Sequence, residues 1–170
     1  MMTGGAKLRG FAQIVAVMAC IAGAAPALAQ GTSLSFAGLN AVRGQPVEVR
    51  SDSLQVDNST GETVFSGNAV LGQGDMRLAA QTIKVVYAPG DNARIRRLEA
   101  SGGVTLVTAQ EAAEAASAVY DIDAGTVRMS GSVILTQGPN VLSGDRLTVN
   151  LRSGQGSLEG RVRTIIQTDR

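Results

Sequence analysis

Four segments of the chain set a glycine in matched surroundings: Gly67 in VFSGNAVLGQG, Gly102 in LEASGGVTLVT, Gly131 in VRMSGSVILTQG and Gly160 in GSLEGRVRTII. The spacings between them are 35, 29 and 29 residues. A period of this size marks one supersecondary unit copied along the chain, so repetition constrains the fold before any single motif does. It also turns the search for function toward an extended surface or trough.

The copies read as strands. From Pro46 onward apolar and polar residues alternate: Val47 and Val49, Leu54 and Val56, Ile83-x-Val85-x-Tyr87, Leu147-x-Val149-x-Leu151. Period two with β-branched residues gives one wet and one dry face. Turn chemistry interrupts these runs regularly, as in Asn58-Ser59-Thr60-Gly61, Gly72-Gln73-Gly74-Asp75, Pro89-Gly90-Asp91-Asn92, Asp123-Ala124-Gly125, Gly138-Pro139-Asn140 and Ser153-Gly154-Gln155-Gly156. Each period therefore holds two strands joined as antiparallel hairpins. Ala109–Ala118 is rich in helix formers. Residues 116–151 nevertheless align without a gap on 52–87, and the repeat assigns the segment to a strand.

Aligning the copies identifies the dry face. Phe65, Ala100, Met129 and Leu158 stand two residues before the glycines. Ala69, Val104, Val133 and Val162 stand two after, and Leu71, Leu106, Leu135 and Thr164 four after. All share the glycine's parity, which points them, and the glycine itself, to one side. An inward glycine makes a bend or bulge, or clears room for a ligand. An apolar stripe of this kind lines a trough or packs on itself as a closed core.

Residues 1–29 belong to a different problem. Lys7 and Arg9 precede an apolar stretch from Phe11 to about Ala25, and Ala27-Leu28-Ala29 precedes Gln30. This is the pattern of a secretory signal peptide cut after Ala29. The rival is an uncleaved anchor, but the apolar run falls short of the ~20 residues a spanning helix needs. Cys20, the only cysteine, lies inside the apolar run, whereas a lipidated cysteine stands at its end. The remaining chain opens with a Gly/Ser-rich stretch at 30–45, read as a flexible lead-in, before a single domain over 46–168. Its charge is −1 once Lys7 and Arg9 leave the formal +1, which gives no footprint for nucleic acid.

The chain has no histidine, which excludes imidazole-based triads and His metal sites. Asp121-x-Asp123-x-Gly125 resembles the start of a calcium loop, but Ser132 stands where the closing glutamate belongs, so the segment reads as a turn. Gly72-Gln73-Gly74 lacks the helix a phosphate cradle requires. Neither a catalytic residue, a metal site nor a cofactor is expected. Arg94, Arg96 and Arg97 suit phosphate groups at a rim, or an ordinary solvated edge.

The segment SGSVILTQGPNVLSGDRLTVNL (130–151), with a weaker copy at 66–87, resembles the OstA-like domain of the LptA family of lipopolysaccharide-transport proteins. The resemblance covers about residues 46–168. It implies an all-β fold, an open and slightly twisted antiparallel β-jellyroll trough. It implies a periplasmic, non-enzymatic bridge whose interior takes the acyl chains of lipopolysaccharide. Phe65, Ala69, Leu71, Ala100, Val104, Leu106, Met129, Val133 and Leu135 would then line the trough. The implied partners are lipopolysaccharide, an inner-membrane LptC-type protein and an outer-membrane LptD-type translocon. Repeats running to both ends of the domain suit head-to-tail self-association through strand edges, with Gly160 at the end of the trough. The alternatives are an LptC-like membrane-anchored partner of the same fold and a structural β-repeat protein with a closed core.

Overall fold

A computed structural model describes residues 32–36, 45–57 and 59–167. The expected signal peptide at 1–29 lies outside them, as does most of the lead-in. Every regular element among the described residues is a strand: β1 (Thr32–Ser35), β2 (Glu48–Arg50), β3 (Ser53–Asp57), β4 (Glu62–Gln73), β5 (Met76–Ala88), β6 (Asp91–Val107), β7 (Glu111–Asp121), β8 (Thr126–Gln137), β9 (Asn140–Asn150), β10 (Gln155–Glu159) and β11 (Arg163–Ile165). Strands β4 to β10 form one antiparallel meander. β2 and β3 both pair with β4 at one edge. β1 pairs with β10, and β11 with β9, at the other. The fold is all-β and antiparallel, as the repeat implied, and an open sheet, as the resemblance implied.

The alanine-rich segment is strand β7, hydrogen-bonded on both sides by β6 and β8. Two flanking ladders outweigh a local helix preference that amounts to tenths of a kcal/mol per residue. The lead-in also carries structure: Thr32–Ser35 is β1, and Phe36 is buried behind it.

Each long strand is folded across its middle. At Gly67-Asn68, Gly102-Gly103 and Gly131-Ser132 two residues oppose one on a neighbouring strand, namely Gln81, Ala116 and Asp145. Both members of each pair have positive φ, and Gly160-Arg161 repeats the feature between β10 and β11. From the other side, an earlier residue of the chain presses against each glycine: Asp52 on Gly67, Gln81 on Gly102, Ala116 on Gly131 and Asp145 on Gly160. An alanine Cβ at position 102 would lie 2.5 Å from the Gln81 Cβ, and one at position 131 would lie 2.7 Å from the Ala116 Cβ. Glycine is required here for both its conformation and its missing side chain.

The glycines therefore do not face the interior, which corrects the parity expectation. Gly102, Gly131 and Gly160 are exposed on the outside of the fold line. Inward residues step by four across it on the glycine strands (Ala100 to Val104, Met129 to Val133). They step by three on the partners (Ala80 to Ile83, Ala115 to Ala118, Gly144 to Leu147). A two-residue bulge inserts the extra position, so strict alternation fails at this one line.

The crease divides the sheet into two leaves that pack face to face. Tyr120, near the end of one leaf, donates a hydrogen bond of 2.9 Å to Oε1 of Gln73 at the end of the other. Beside the crease small inward pairs (Ala69 opposite Ala80, Ala100 opposite Ala118) share the interior with large ones (Phe65 opposite Ile83, Met129 opposite Leu147). Leu71, Leu78, Leu98 and Leu106 fill it farther out.

Gly103 has φ +82 but nothing within 4 Å of an added Cβ, unlike Gly102. Gly103→Ala is expected to cost only the left-handed backbone penalty of about 1–2 kcal/mol. Gly102→Ala is expected to exceed it by about 1–3 kcal/mol through the clash with Gln81. Denaturant titration of both variants tests this, and equal losses would contradict the bulge register.

Candidate functional site

The buried apolar residues of the described chain form one cluster between the leaves. Eight of the nine residues expected to line the trough are buried there: Ala69, Leu71, Ala100, Val104, Leu106, Met129, Val133 and Leu135. Phe65 is half-buried and packs against the same cluster. In the fourth copy Leu158 is buried, but Val162 and Thr164, on the far side of the crease, are exposed, and among the described residues β11 has a strand partner on one side only, β9. Other buried residues of this cluster were not singled out by the glycine alignment: Leu78, Ile83, Leu142 and Leu147 on the partner strands, and Leu98 and Val127 farther along the glycine strands.

The lips are polar. Thr63, Gln73 and Glu111 are the buried polar side chains among the described residues. Gln73 and Gln137 occupy equivalent places in two copies, and both reach the N-terminal segment. Gln73 Nε2 donates to the carbonyl of Gln45 at 2.9 Å, and Gln137 Nε2 donates to the carbonyl of Ser35 at 3.0 Å. Glu111 is held by the Thr108 hydroxyl and by the turn that precedes its strand. Burial pushes the Tyr120 hydroxyl above its ordinary value of 10.0. The leaves thus meet through directional bonds at their rims and aliphatic contact inside.

The two edges differ. At the β3 edge, Leu54 lies opposite Phe65 and Val56 opposite Thr63, so both share the inward face. Each is 56% exposed, because among the described residues no further strand follows β3 at this edge. At the other edge, β1 covers β10, the Phe36 amide bonds the Gly154 carbonyl at 2.6 Å, and the Phe36 ring fills the space above Gly156. Phe36 and the lip glutamines were not legible as a set, because the glutamine contacts join residues 28, 47 and 102 positions apart with no shared spacing.

The arginine cluster divides. Arg94 pairs with Asp123 at 2.6 Å and Arg97 with Glu99 at 2.7 Å, while Arg96 is exposed. These are solvated pairs of small energetic weight. Asp121 accepts the Ala124 amide at 2.8 Å, the geometry of a turn. Among the described residues no group of acidic or thiol side chains is placed to hold a metal.

A family profile described as "LptA/(LptD N-terminal domain) LPS transport protein" matches residues 48–155. An uncharacterized protein of Rhizobium meliloti is 33% identical over 156 residues, covering 86% of this chain and 83% of the relative. The fold is similar to that of LptH, described as the LptA-homologous periplasmic component of the lipopolysaccharide transport device of Pseudomonas aeruginosa. That likeness has a TM-score of 0.66 at 17% identity and covers 75% of this chain and 99% of the other.

Tyr120→Phe strands the buried amide oxygen of Gln73 and is expected to cost about 1–3 kcal/mol. The raised hydroxyl value also sets a pH dependence. The stabilisation is complete below the unfolded tyrosine value near 10.0 and is lost as pH rises through the folded value. Equilibrium unfolding from pH 8 to 11 should show a steeper alkaline loss for the native chain than for Tyr120→Phe. Parallel curves would count against the buried bond.

Proposed function

Because the chain belongs to the LptA/LptD N-terminal-domain family of lipopolysaccharide-transport proteins, we propose that it is a periplasmic carrier that holds lipopolysaccharide acyl chains between its two leaves. It performs no bond chemistry. It receives lipid from an LptC-type protein at the inner membrane and passes it toward an LptD-type translocon, with copies joined edge to edge. The observation that carries this reading is the uninterrupted aliphatic face from β4 to β10, open at β3, where Leu54 and Val56 stand exposed.

The chemistry of that face suits acyl chains. Its side chains are Val, Leu, Ile, Met and Ala, with few rings, so it offers contact without directional demands. Each methylene moved from water is worth about 0.8 kcal/mol, so a dozen approach 10 kcal/mol before any polar contact is made. The lining residues already bury one another, so loading is an exchange of contacts in which the leaves part. The separable parts are the Gln73–Tyr120 and Gln137–Ser35 bonds at the lips. Polar headgroups stay outside, since the polar lips are the only place where they remain solvated. Transfer is passive, and direction comes from partners that load and unload the ends.

The closed-core alternative draws on the same burial, and one experiment separates the two. A photo-crosslinking residue at Leu106 or Val133 is expected to label lipopolysaccharide in cells, while one at outward-facing Arg128 is not. Labelling at none of the inward positions would favour a structural repeat protein without lipid.

A further inference from the structure

β1 and β3 occupy corresponding places at opposite edges of the sheet. β3 pairs with the part of β4 that precedes Gly67, and β1 pairs with β10, which precedes Gly160. Counting back from each glycine superimposes the two registers. Leu54 lies opposite Phe65 and Thr32 opposite Leu158, each two residues before a glycine. Val56 then corresponds to Leu34, opposite Thr63 and Gly156 respectively.

We propose that β1 is a built-in stand-in for β3 of a second copy of this chain. It closes the β10 edge of a free protomer, and joining requires the β3 of the next copy to displace it. This rests on the reading that copies join edge to edge, but not on the identity of the lipid.

Three observations converge on that occupant. The first is the crease, along which a glycine bulge alternates with a single opposing residue: Gly67, Gln81, Gly102, Ala116, Gly131, Asp145, Gly160. The next position calls for a residue that opposes a glycine, and Asp52, between β2 and β3, is such a residue. In its own chain its amide bonds the Gly67 carbonyl at 2.9 Å, as the Asp145 amide bonds Gly160 at 3.0 Å. Asn68 bonds the Asp52 carboxylate at 2.8 Å, and Arg161 bonds Asp145 at 2.7 Å. A second copy placed on β10 and β11 through its β3 and β2 continues this alternation unbroken, whereas β1 covers only one leaf.

The second observation is steric. In the register of β1, Leu54 of the second copy would meet Leu158, and Val56 would stand over Gly156, where the Phe36 ring now sits. Both residues are exposed in the single chain and would be covered. The third is economy of attachment. β1 is four residues long and, among the described residues, is paired on one side only and held otherwise by Phe36 and the Gln137 bond. Short edge strands of this kind open before the body of a sheet does.

Strand exchange is tested with the chain from Gln30 onward, which has no cysteine of its own. Ser33 and Ser157 are register partners, so a Ser33→Cys, Ser157→Cys pair can lock β1 in place by oxidation. Sedimentation velocity over a concentration series reads the outcome, and circular dichroism follows the fold. The oxidised pair should stay monomeric at concentrations where the reduced form associates. Phe36→Ser should associate at about tenfold lower concentration than the native chain, and adding Leu54→Glu and Val56→Glu should reverse this. Association indifferent to the lock, or undiminished by the two glutamates, overturns the proposal. If Phe36→Ser fails to fold, the locked and reduced forms decide alone. If no form associates, strand exchange is overturned, while lipid labelling at Leu106 and Val133 stands or falls separately.

Discussion

The structure depends on a backbone conformation repeated at four points. A pair of residues with positive φ faces one residue across the ladder, and the sheet turns over along the line these pairs make. Without that line, strands of 11 to 17 residues would form a flat ribbon with one apolar face in water. With it, a single sheet covers its own apolar face and needs no second layer from elsewhere. The burial of Leu71, Leu106, Leu135 and Leu147 follows from the turn made at the glycines.

Much of this was legible in the chain because repetition averages out local accident. The strand assignment of Ala109–Ala118 went against propensity and agrees with β7 from Glu111 onward, since the gapless alignment of 116–151 on 52–87 outweighs local composition. The inward residues flanking each glycine were legible for the same reason. The direction of the glycine was not, because parity counting assumes one residue per ladder step and the bulge inserts another. The second member of each bulge pair differs from copy to copy (Asn68, Gly103, Ser132, Arg161), so no common residue type marks it. Asn and Gly accept such a backbone readily, and an Arg does so here beside an Asp145 whose carboxylate it holds below the usual range.

The lips and the β1 edge were out of reach for a different reason. Gln73 with Tyr120, and Gln137 with Ser35, bring together residues whose pairing no periodicity encodes. The Gly/Ser-rich lead-in has little apolar pattern, and within its described part Phe36 is the one buried side chain. Conversely, the basic triplet around Arg96 was conspicuous in the sequence and is mostly engaged in surface pairs. Conspicuous charge reported on solubility, while two unremarkable glutamines reported on how the leaves are joined.

From β4 to β10 the hydrogen-bond ladder joins each strand to the next one in the chain. One hairpin more or fewer would therefore leave the pattern of the remaining ladders as it was. The interior would lengthen or shorten by two strand spacings, roughly 10 Å, with no change in cross-section. Length is thus a quantity that duplication can adjust in whole units, and the 29-residue interval between glycines is the gauge mark of that ruler.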